Sequence, residues 1–234
     1  MDKNFRTRTA LIVGNEGVEK LKNSNVLIFG VGGVGSFAAE AIARAGVGKM
    51  TIVDFDDVDI TNINRQLPAL HSTVGKDKVD VMKERILDIN PDIDIKAIKS
   101  MYTAENSDEL LSGDYDYVVD AIDMVSSKIH LIESCVKKNL TIISSMGMGN
   151  KLDPTKIVVT DIHKTQMCPL AKVVRKELRD RKIKKLKVVY STEKPIELKE
   201  RIMNGKKITP GSISFVPSVA GLTIASVVIN DLIK

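Results

Sequence analysis

The stretch Asn25–Ser36, NVLIFGVGGVGS, decides the fold of this chain of 234 residues. Val26–Phe29 is an unbroken apolar run, typical of a strand buried on both faces of a parallel sheet. A glycine-rich turn follows at once, and the small residues of Phe37–Ala45 then predict a helix. A strand, a glycine turn and a helix in this order let backbone N–H groups bind a phosphate, so the stretch predicts a nucleotide site.

The glycines and a later carboxylate have separate expected roles. Gly30 permits the tight turn, Gly32 lets the backbone approach a phosphate, and Gly35 lets the helix pack on the strand. Asp54 ends the next apolar run, 24 residues after Gly30, close to the spacing at which a carboxylate accepts ribose hydroxyls. NAD enzymes and ATP enzymes share these features. The alternative is a tight turn in a sheet that binds no nucleotide.

Polar residues beyond the second strand distinguish ATP enzymes from NAD enzymes. The carboxylate of Asp56 is followed by Asn62, Arg65 and Gln66, and Lys78 comes thirteen residues after the arginine. Amide groups and a guanidinium fork suit phosphate oxygens whose charge grows during adenylyl transfer. Taken singly, Arg65 could form a surface ion pair and Lys78 could face solvent. As a set after a glycine turn, they favour a nucleoside triphosphate that undergoes attack.

A further carboxylate is expected at the same edge of the sheet. Tyr117–Ile122 predicts a buried strand, and Asp120 and Asp123 lie towards its carboxyl end, where open α/β sheets bind their ligands. Magnesium prefers one or two carboxylates together with phosphate oxygens, so Asp123 is predicted to engage Mg²⁺. The alternative is that Asp123 caps the helix predicted after it.

These motifs together resemble one known family. GVGGVGS, DFDDVDITNINRQ, the lysine at 78 and DAID at 120–123 are similar to the ThiF/MoeB/HesA adenylating family, whose core is shared by ubiquitin-activating enzymes. The resemblance implies a homodimer that uses ATP and Mg²⁺. It places Gly32, Gly33 and Gly35 against the triphosphate and Asp54 at the ribose.

The same resemblance assigns the remaining site residues. It implies that the phosphates are bound by four side chains: Asn62, Arg65, Gln66 and Lys78. It also implies that Arg8 reaches into the site of the neighbouring subunit, with Arg6 as the alternative.

From Arg8 to the terminal GSISFVPSVAGLTIAS, the chain is similar to one branch of that family. Members of that branch use ATP to cyclise threonylcarbamoyladenosine in tRNA, and they lack the zinc-binding cysteine pairs of other members. This chain has two cysteines and no C-x-x-C pair. The resemblance implies adenylation of the substrate carboxylate and ring closure without an enzyme cysteine. Two other functions stay open: an adenylyltransferase for a ubiquitin-like sulfur-carrier protein, and a non-catalytic nucleotide-binding scaffold.

The rest of the chain fits an α/β protein. Further strands are predicted at 93–99, 140–145, 156–161 and 187–190. Strands that alternate with helices predict a Rossmann-like, largely parallel, doubly wound sheet with helices on both faces. We expect an ATP-binding adenylation core over residues 1–160. Residues 161–234 are expected to form a substrate-side extension and terminal helix in the same globular domain.

Composition bears on the location of the protein. Hydrophobic residues make up 43% of the chain and charged residues 28%, which is ordinary for a soluble protein. No apolar run follows the first residues, and two cysteines without a disulfide framework fit a reducing cytoplasm. The apolar segment 215–229 is shorter than the roughly 20 residues of a membrane helix, so it predicts a buried terminal helix and no membrane.

Positive charge is concentrated between Lys172 and Lys187. This stretch holds nine basic residues and two acidic ones, a net charge of +7, which leaves −2 for the rest of the chain. A clustered basic patch is typical of a protein that binds a polyanion, here tRNA. The predicted contacts are Arg175, Arg179, Lys182 and Lys185. The alternative is a solvated amphipathic helix with its apolar side chains inside: Leu178, Ile183 and Leu186.

Overall fold

The computed structural model describes residues 4–200, 202–204 and 207–234. The helices are α1 Thr7–Asn23, α2 Gly35–Ala45, α3 Lys78–Ile89, α4 Ser107–Leu110, α5 Val125–Lys137, α6 Pro169–Asp180 and α7 Phe215–Leu232. The strands are β1 Asn25–Phe29, β2 Lys49–Asp54, β3 Asp94–Lys99, β4 Tyr117–Asp120, β5 Ile142–Ser145, β6 Ile157–Asp161, β7 Lys187–Ser191, β8 Met203–Asn204 and β9 Lys207–Ile208.

Seven strands form one sheet in the order β3-β2-β1-β4-β5-β7-β6. Every neighbouring pair is parallel except β6 with β7, which is antiparallel. The chain moves outwards from β1 to β3 and then returns to β4 on the other side of β1. The carboxyl ends of β1 and β4 therefore flank the point where the direction of winding reverses, which is where doubly wound sheets bind ligands.

Both faces of the sheet are covered by helices, as the sequence predicts. Along β1, Val26 and Ile28 belong to one buried cluster, whereas Leu27 and Phe29 belong to another. The first cluster includes apolar residues of α2, α3 and α7, and the second includes residues of α5. Because alternate side chains of a strand point to opposite faces, the two clusters are the two layers of the core.

The terminal helix α7 packs against α2. Its buried residues recur at helical spacing, as Val216, Ala220, Ile224 and Val228. A side chain at Gly221 would meet the Val34 carbonyl oxygen at 2.3 Å, so a glycine is needed for the two helices to approach. By length and composition alone, α7 could cross a membrane, with a mean hydropathy of 1.6. In this fold one face of α7 is buried in the core.

Two local expectations differ from the structure. Strand β4 ends at Asp120 rather than at Ile122, so the residues after it form a loop. The basic stretch is not one helix, because α6 ends at Asp180 and the remaining basic residues lie in the connection to β7.

Candidate functional site

A cavity of about 300 Å³ opens at the carboxyl ends of the central strands. It lies at the reversal point of the sheet. Nine of the predicted site residues line it: Gly30, Gly32, Gly33, Asp54, Asp56, Arg65, Gln66, Lys78 and Asp123. These residues come from separate parts of the sequence between positions 30 and 123, and the fold brings them to one place.

Two glycines of the turn are required by the backbone. Gly30 has a φ of +86°, and a Cβ there would lie 2.8 Å from the Ala121 carbonyl oxygen. A Cβ at Gly35 would lie 1.8 Å from the Gly30 carbonyl oxygen, so only glycine lets α2 approach the turn. This geometry agrees with the packing role predicted for Gly35. Gly35 is not among the residues that line the cavity, and its contact with the triphosphate stays a prediction.

The other two glycines border the cavity itself. A Cβ at Gly32 would meet no atom closer than 3.6 Å, the Gln66 Nε2, and a Cβ at Gly33 would lie 3.2 Å from Pro217. At neither position would a Cβ collide with a backbone atom. A side chain at Gly32 would mainly occupy space in the cavity, which fits a turn that leaves room for a phosphate.

The carboxylate of Asp54 is held in place by two backbone N–H groups. Its Oδ2 accepts from Val31 N at 2.7 Å and its Oδ1 accepts from Asp56 N at 2.9 Å. Burial raises the pKa of Asp54, and these hydrogen bonds and Lys78 oppose that rise. Each carboxylate oxygen keeps a lone pair that could accept a ribose hydroxyl.

Lys78 is a buried cation in the wall of the cavity. Only 4% of the residue is exposed, and its Nζ donates to Asp56 Oδ2 at 2.7 Å. The Asp56 side chain is 46% exposed. The ammonium therefore has one carboxylate partner that can turn towards solvent. It can then bind a phosphate oxygen without leaving an unpaired buried charge behind.

Arg65 and Gln66 present unused polar atoms. The Nη1 of Arg65 donates to the Thr61 carbonyl and to Asn64 Oδ1, both at 2.8 Å, which leaves its Nε and Nη2 for other acceptors. Burial lowers the pKa of the Arg65 guanidinium. The Oε1 of Gln66 is buried and has no hydrogen-bond partner in the part of the chain that the structure describes. A buried orphan atom beside Gly32 fits a site that a polar ligand completes.

Asn62 is not among the residues that line the cavity. It is 8% exposed, and its Oδ1 accepts from Asp59 N at 3.3 Å. Its carbonyl accepts from the backbone N–H groups of Arg65 and Gln66, both at 3.0 Å. The Nδ2 of Asn62 makes no hydrogen bond within the described residues, so its phosphate contact stays a prediction. Its main-chain carbonyl and Oδ1 shape the turn that carries Arg65 and Gln66.

Asp123 lies in the loop between β4 and α5. It is exposed and lines the cavity. The first turn of α5 has no side-chain cap, and its cap position is Met124, so the capping alternative is wrong. Within the described residues its carboxylate makes no hydrogen bond or ion pair, and it is available to a ligand.

Several cavity residues were not predicted. Large apolar side chains that remain substantially exposed lie on three loops at the strand ends: Phe55 at 46%, Met101 at 37% and Met124 at 41%. Each follows a parallel strand by one to four residues, a position that could have identified them. Flat or adaptable apolar surfaces of this kind suit an aromatic base. The lining also includes Ser145–Gly149, Leu170 and Pro210–Ser212.

The family of the chain follows from comparison with known proteins. The ThiF family model matches residues 6–234. The chain belongs to the ThiF family. Among the most similar relatives of this ThiF-family chain is the tRNA threonylcarbamoyladenosine dehydratase of Bacillus subtilis (strain 168). It is 51% identical over 239 residues, 97% of this chain and 94% of the relative.

Solved structures resemble this ThiF-family chain along nearly its whole length. Crystal structures of E. coli tRNA N6-threonylcarbamoyladenosine dehydratase, TcdA, in complex with ATP and with AMP each match with a TM-score of 0.89. The sequence identities are 34% and 35%, and the matches cover 97% and 96% of this chain and 93% and 92% of those chains. The resemblance expected from the motifs is confirmed.

The two arginines near the amino terminus differ in their surroundings. In this ThiF-family chain, Arg6 donates to Asn90 Oδ1 at 3.1 Å and lies 4.2 Å from the centre of the Phe5 ring. Arg8 is exposed on α1 and is not among the residues that line the cavity. Of the two, Arg8 is the more accessible side chain.

The predicted tRNA contacts also differ. Arg175 is half-buried, and its Nη1 donates to the carbonyl and the hydroxyl of Thr165 at 2.6 and 2.8 Å. It therefore holds the segment before α6, which the sequence did not indicate. Arg179, Lys182 and Lys185 are exposed and make no ion pair within the described ranges.

Proposed function

We propose that the chain uses ATP to dehydrate threonylcarbamoyladenosine in tRNA. It adenylates the carboxylate of the threonylcarbamoyl group, and this group then closes into a ring. The observation that carries this is the similarity along almost the whole length of both chains to a dehydratase of this nucleoside. An adenylation core that served an unrelated substrate would be expected to resemble such a relative over the core only. The chemistry of the cavity is consistent with the proposal.

The first step transfers an adenylyl group. A carboxylate oxygen of the substrate attacks the α-phosphorus of ATP, the bond to the β-phosphate oxygen breaks, and pyrophosphate leaves. Negative charge grows on the leaving group and on the oxygens around the α-phosphorus. Arg65 and Lys78 can offer N–H donors to these oxygens from fixed positions in the cavity wall. Donors of this kind stabilise the transition state because they need no reorganisation during the reaction.

The second step closes the ring. The carbamoyl nitrogen or oxygen of the same substrate attacks the activated carbonyl carbon. The carbon–oxygen bond to AMP breaks, and one proton leaves the attacking group. One substrate oxygen departs with AMP, so the nucleoside loses the elements of one water. Because the nucleophile belongs to the substrate, the enzyme supplies position rather than a covalent intermediate.

A magnesium role for Asp123 is part of the proposal. Its carboxylate is exposed to the cavity, and the described residues contain no cluster of three or more His, Cys, Asp or Glu that could hold a metal. Magnesium commonly takes one or two carboxylates and completes its shell with water and phosphate oxygens, which fits this single carboxylate. When bound with ATP, the ion would neutralise phosphate charge.

We assign tRNA to the surface formed by Arg179, Lys182 and Lys185. Leu170, at the start of α6, lines the cavity, and Arg179 lies nine residues further along the same helix. At 1.5 Å per residue the separation along the helix axis is about 13 Å. A tRNA whose modified base entered the cavity could therefore extend its backbone over these cations.

A homodimer and a cytoplasmic location remain predictions. Two neighbouring apolar residues of α1 are strongly exposed, Leu11 at 78% and Ile12 at 88%, and a second copy of the chain could cover them. Arg8 lies one turn away on the same helix. If Arg8 acts in the site of the partner subunit, mixing inactive Arg8→Ala and Lys78→Met proteins should restore part of the activity.

The proposed activity is tested by incubation of the protein with ATP, magnesium and tRNA that carries threonylcarbamoyladenosine. Nucleoside mass spectrometry should detect the loss of one water from that nucleoside and equal formation of AMP. A parallel reaction replaces tRNA by a β-grasp protein with a carboxyl-terminal diglycine. Adenylation of that protein, without change in the tRNA nucleoside, would instead identify a sulfur-carrier adenylyltransferase.

The tRNA surface is tested separately by a triple variant in which Arg179, Lys182 and Lys185 are replaced by Gln. The log–log slope of tRNA affinity against salt should fall in magnitude by roughly 0.7–0.9 for each phosphate that the variant no longer neutralises. ATP affinity should be unchanged. A control variant removes three exposed lysines near the opposite edge of the sheet: Lys49, Lys76 and Lys96. Equal slopes for the two triple variants would place the tRNA elsewhere.

A further inference from the structure

A fully buried ion pair lies behind the cavity, at the ends of β4 and β5. The side chains of Asp120 and Lys128 are both 0% exposed, and Lys128 Nζ lies 2.7 Å from Asp120 Oδ2. The ammonium also donates to Ser144 Oγ at 3.2 Å and to the Ser145 carbonyl at 3.0 Å. The Ser144 hydroxyl donates to Asp120 Oδ2 at 2.5 Å. All three ammonium protons therefore have acceptors.

Stability does not account for this pair. Removing two charges from water costs several kcal/mol per ion, and apolar residues of similar volume are often as stable or more stable in such positions. Lys128 is also the fourth residue of α5, and a positive charge near a helix amino terminus is unfavourable to the helix dipole. A cation at this place indicates a requirement other than folding.

The hydrogen bonds of the pair lead to two loops that line the cavity. Asp120 Oδ1 accepts from the Ile122 N–H at 3.0 Å, at the centre of the loop that carries Asp123. Lys128 holds the Ser145 carbonyl, where β5 ends and the segment Ser145–Gly149 begins to line the cavity. The two loops thus share one buried anchor.

We propose that the Asp120–Lys128 pair is a positioning device that sets the loop carrying Asp123 relative to the segment Ser145–Gly149. This inference rests on the proposed function, in which phosphate and substrate must meet in the cavity that these loops line. Neither side chain lines the cavity, so both are positioning residues rather than catalytic ones. A misplacement of about 1 Å in a reacting geometry can cost about 10²-fold in rate.

Two variants separate positioning from stability. Lys128→Met leaves Asp120 buried without its cation, and this variant should lose both thermal stability and kcat. Lys128→Met/Asp120→Asn leaves no unpaired charge, and its new amide oxygen can still accept from the Ile122 N–H. The double variant should regain most of the melting temperature. Its kcat should stay about 10²-fold low, with little change in the KM for ATP, because the Ser145 carbonyl no longer has its donor.

Amide hydrogen exchange gives a readout that does not depend on activity. The Met146 N–H donates to the Val189 carbonyl at 2.8 Å, next to the position of the Lys128 anchor. Its exchange should become about tenfold faster in both variants, whereas the Ile122 N–H should stay protected in the double variant. Lys137→Met is the control, because Lys137 lies on the same helix with a side chain that is 72% exposed.

The outcomes are distinct. If the double variant recovered kcat together with the melting temperature, the pair would contribute only to stability, and the inference would be overturned. Unchanged Met146 exchange in either variant would overturn it as well. If neither variant folds, Ser144→Ala, which removes only the bridging hydroxyl, must show the same two effects in weaker form, and unchanged kcat would refute the inference. If the unmodified enzyme did not dehydrate the tRNA nucleoside, the proposed function would be refuted. The amide-exchange measurement would still test whether the pair positions the two loops.

Discussion

Replacement of Lys78 by Met tests the phosphate site most directly. Lys78 is 4% exposed and lines the cavity, so no water can easily substitute for its ammonium during adenylyl transfer. Loss of one fixed donor to a developing negative charge typically lowers kcat by about 10²–10³, or about 2.7–4 kcal/mol of transition-state stabilisation. We expect a reduction of this size for Lys78→Met.

Folding should be affected much less by the same change. Met keeps an apolar stem of similar length, and the Asp56 carboxylate that loses its partner is 46% exposed and can be hydrated. An ion pair with one hydrated member contributes about 1 kcal/mol or less. For a chain of this size, that corresponds to a decrease of about 2–4 °C in the melting temperature.

The assay is AMP formation at saturating ATP with tRNA that carries the modified nucleoside, together with a thermal melt. Lys99→Met is the matched control. Lys99 bridges Asp57 and Asp77 at 2.8 and 2.7 Å but does not line the cavity. We expect its kcat to remain close to that of the unmodified enzyme. A Lys78→Met variant that kept kcat within about threefold of the unmodified enzyme would refute the assignment of Lys78 to transition-state stabilisation.

Three other single substitutions have defined expected results. Asp123→Asn should abolish AMP formation and keep part of the ATP affinity, and full activity across a magnesium titration would contradict its metal role. Cys168→Ser should leave kcat largely intact because ring closure needs no thioester, whereas complete inactivation with normal folding and ATP binding would indicate a covalent cysteine. Burial alone would raise the pKa of Asp231, but hydrogen bonds from Lys187, Lys234 and Tyr117 hold it at about 2, below the ordinary value of 3.8. Its stabilisation is therefore present above pH 4 and lost as the pH falls towards 2, so Asp231→Asn should lower the melting temperature at pH 6 but hardly at pH 2. An equal decrease at both pH values would show that the effect is not due to the charge.

Much of the nucleotide site could be predicted because its determinants are local. The turn after β1 needs glycine at position 30 for its positive φ and at position 35 for close packing, and both requirements appear directly in the sequence. Asp54 could be placed because a parallel strand pair fixes the distance between the ends of β1 and β2. Arg65, Gln66 and Lys78 lie in one short segment whose motif is specific to an adenylating family.

The surroundings of Arg175 were decided by a neighbour that a motif does not contain. Its guanidinium donates to the carbonyl and hydroxyl of Thr165, ten residues earlier. A side chain suited to bind a phosphate here satisfies a nearby polar group. Sequence spacing cannot distinguish these outcomes, because the competing partner becomes available only when the chain has folded.

The order of residues along the chain was enough to establish the family, the doubly wound sheet and the set of polar residues at the strand ends, because periodicity and short glycine motifs act over a few residues. The role of Lys128 became apparent only in the folded molecule. On a helical stretch a lysine usually faces solvent, and nothing near it in sequence indicates burial. The carboxylate that pairs with it ends one strand and the carbonyl it holds ends the next. These groups meet only once β4 and β5 lie side by side, where the absence of water makes each charge depend on the other.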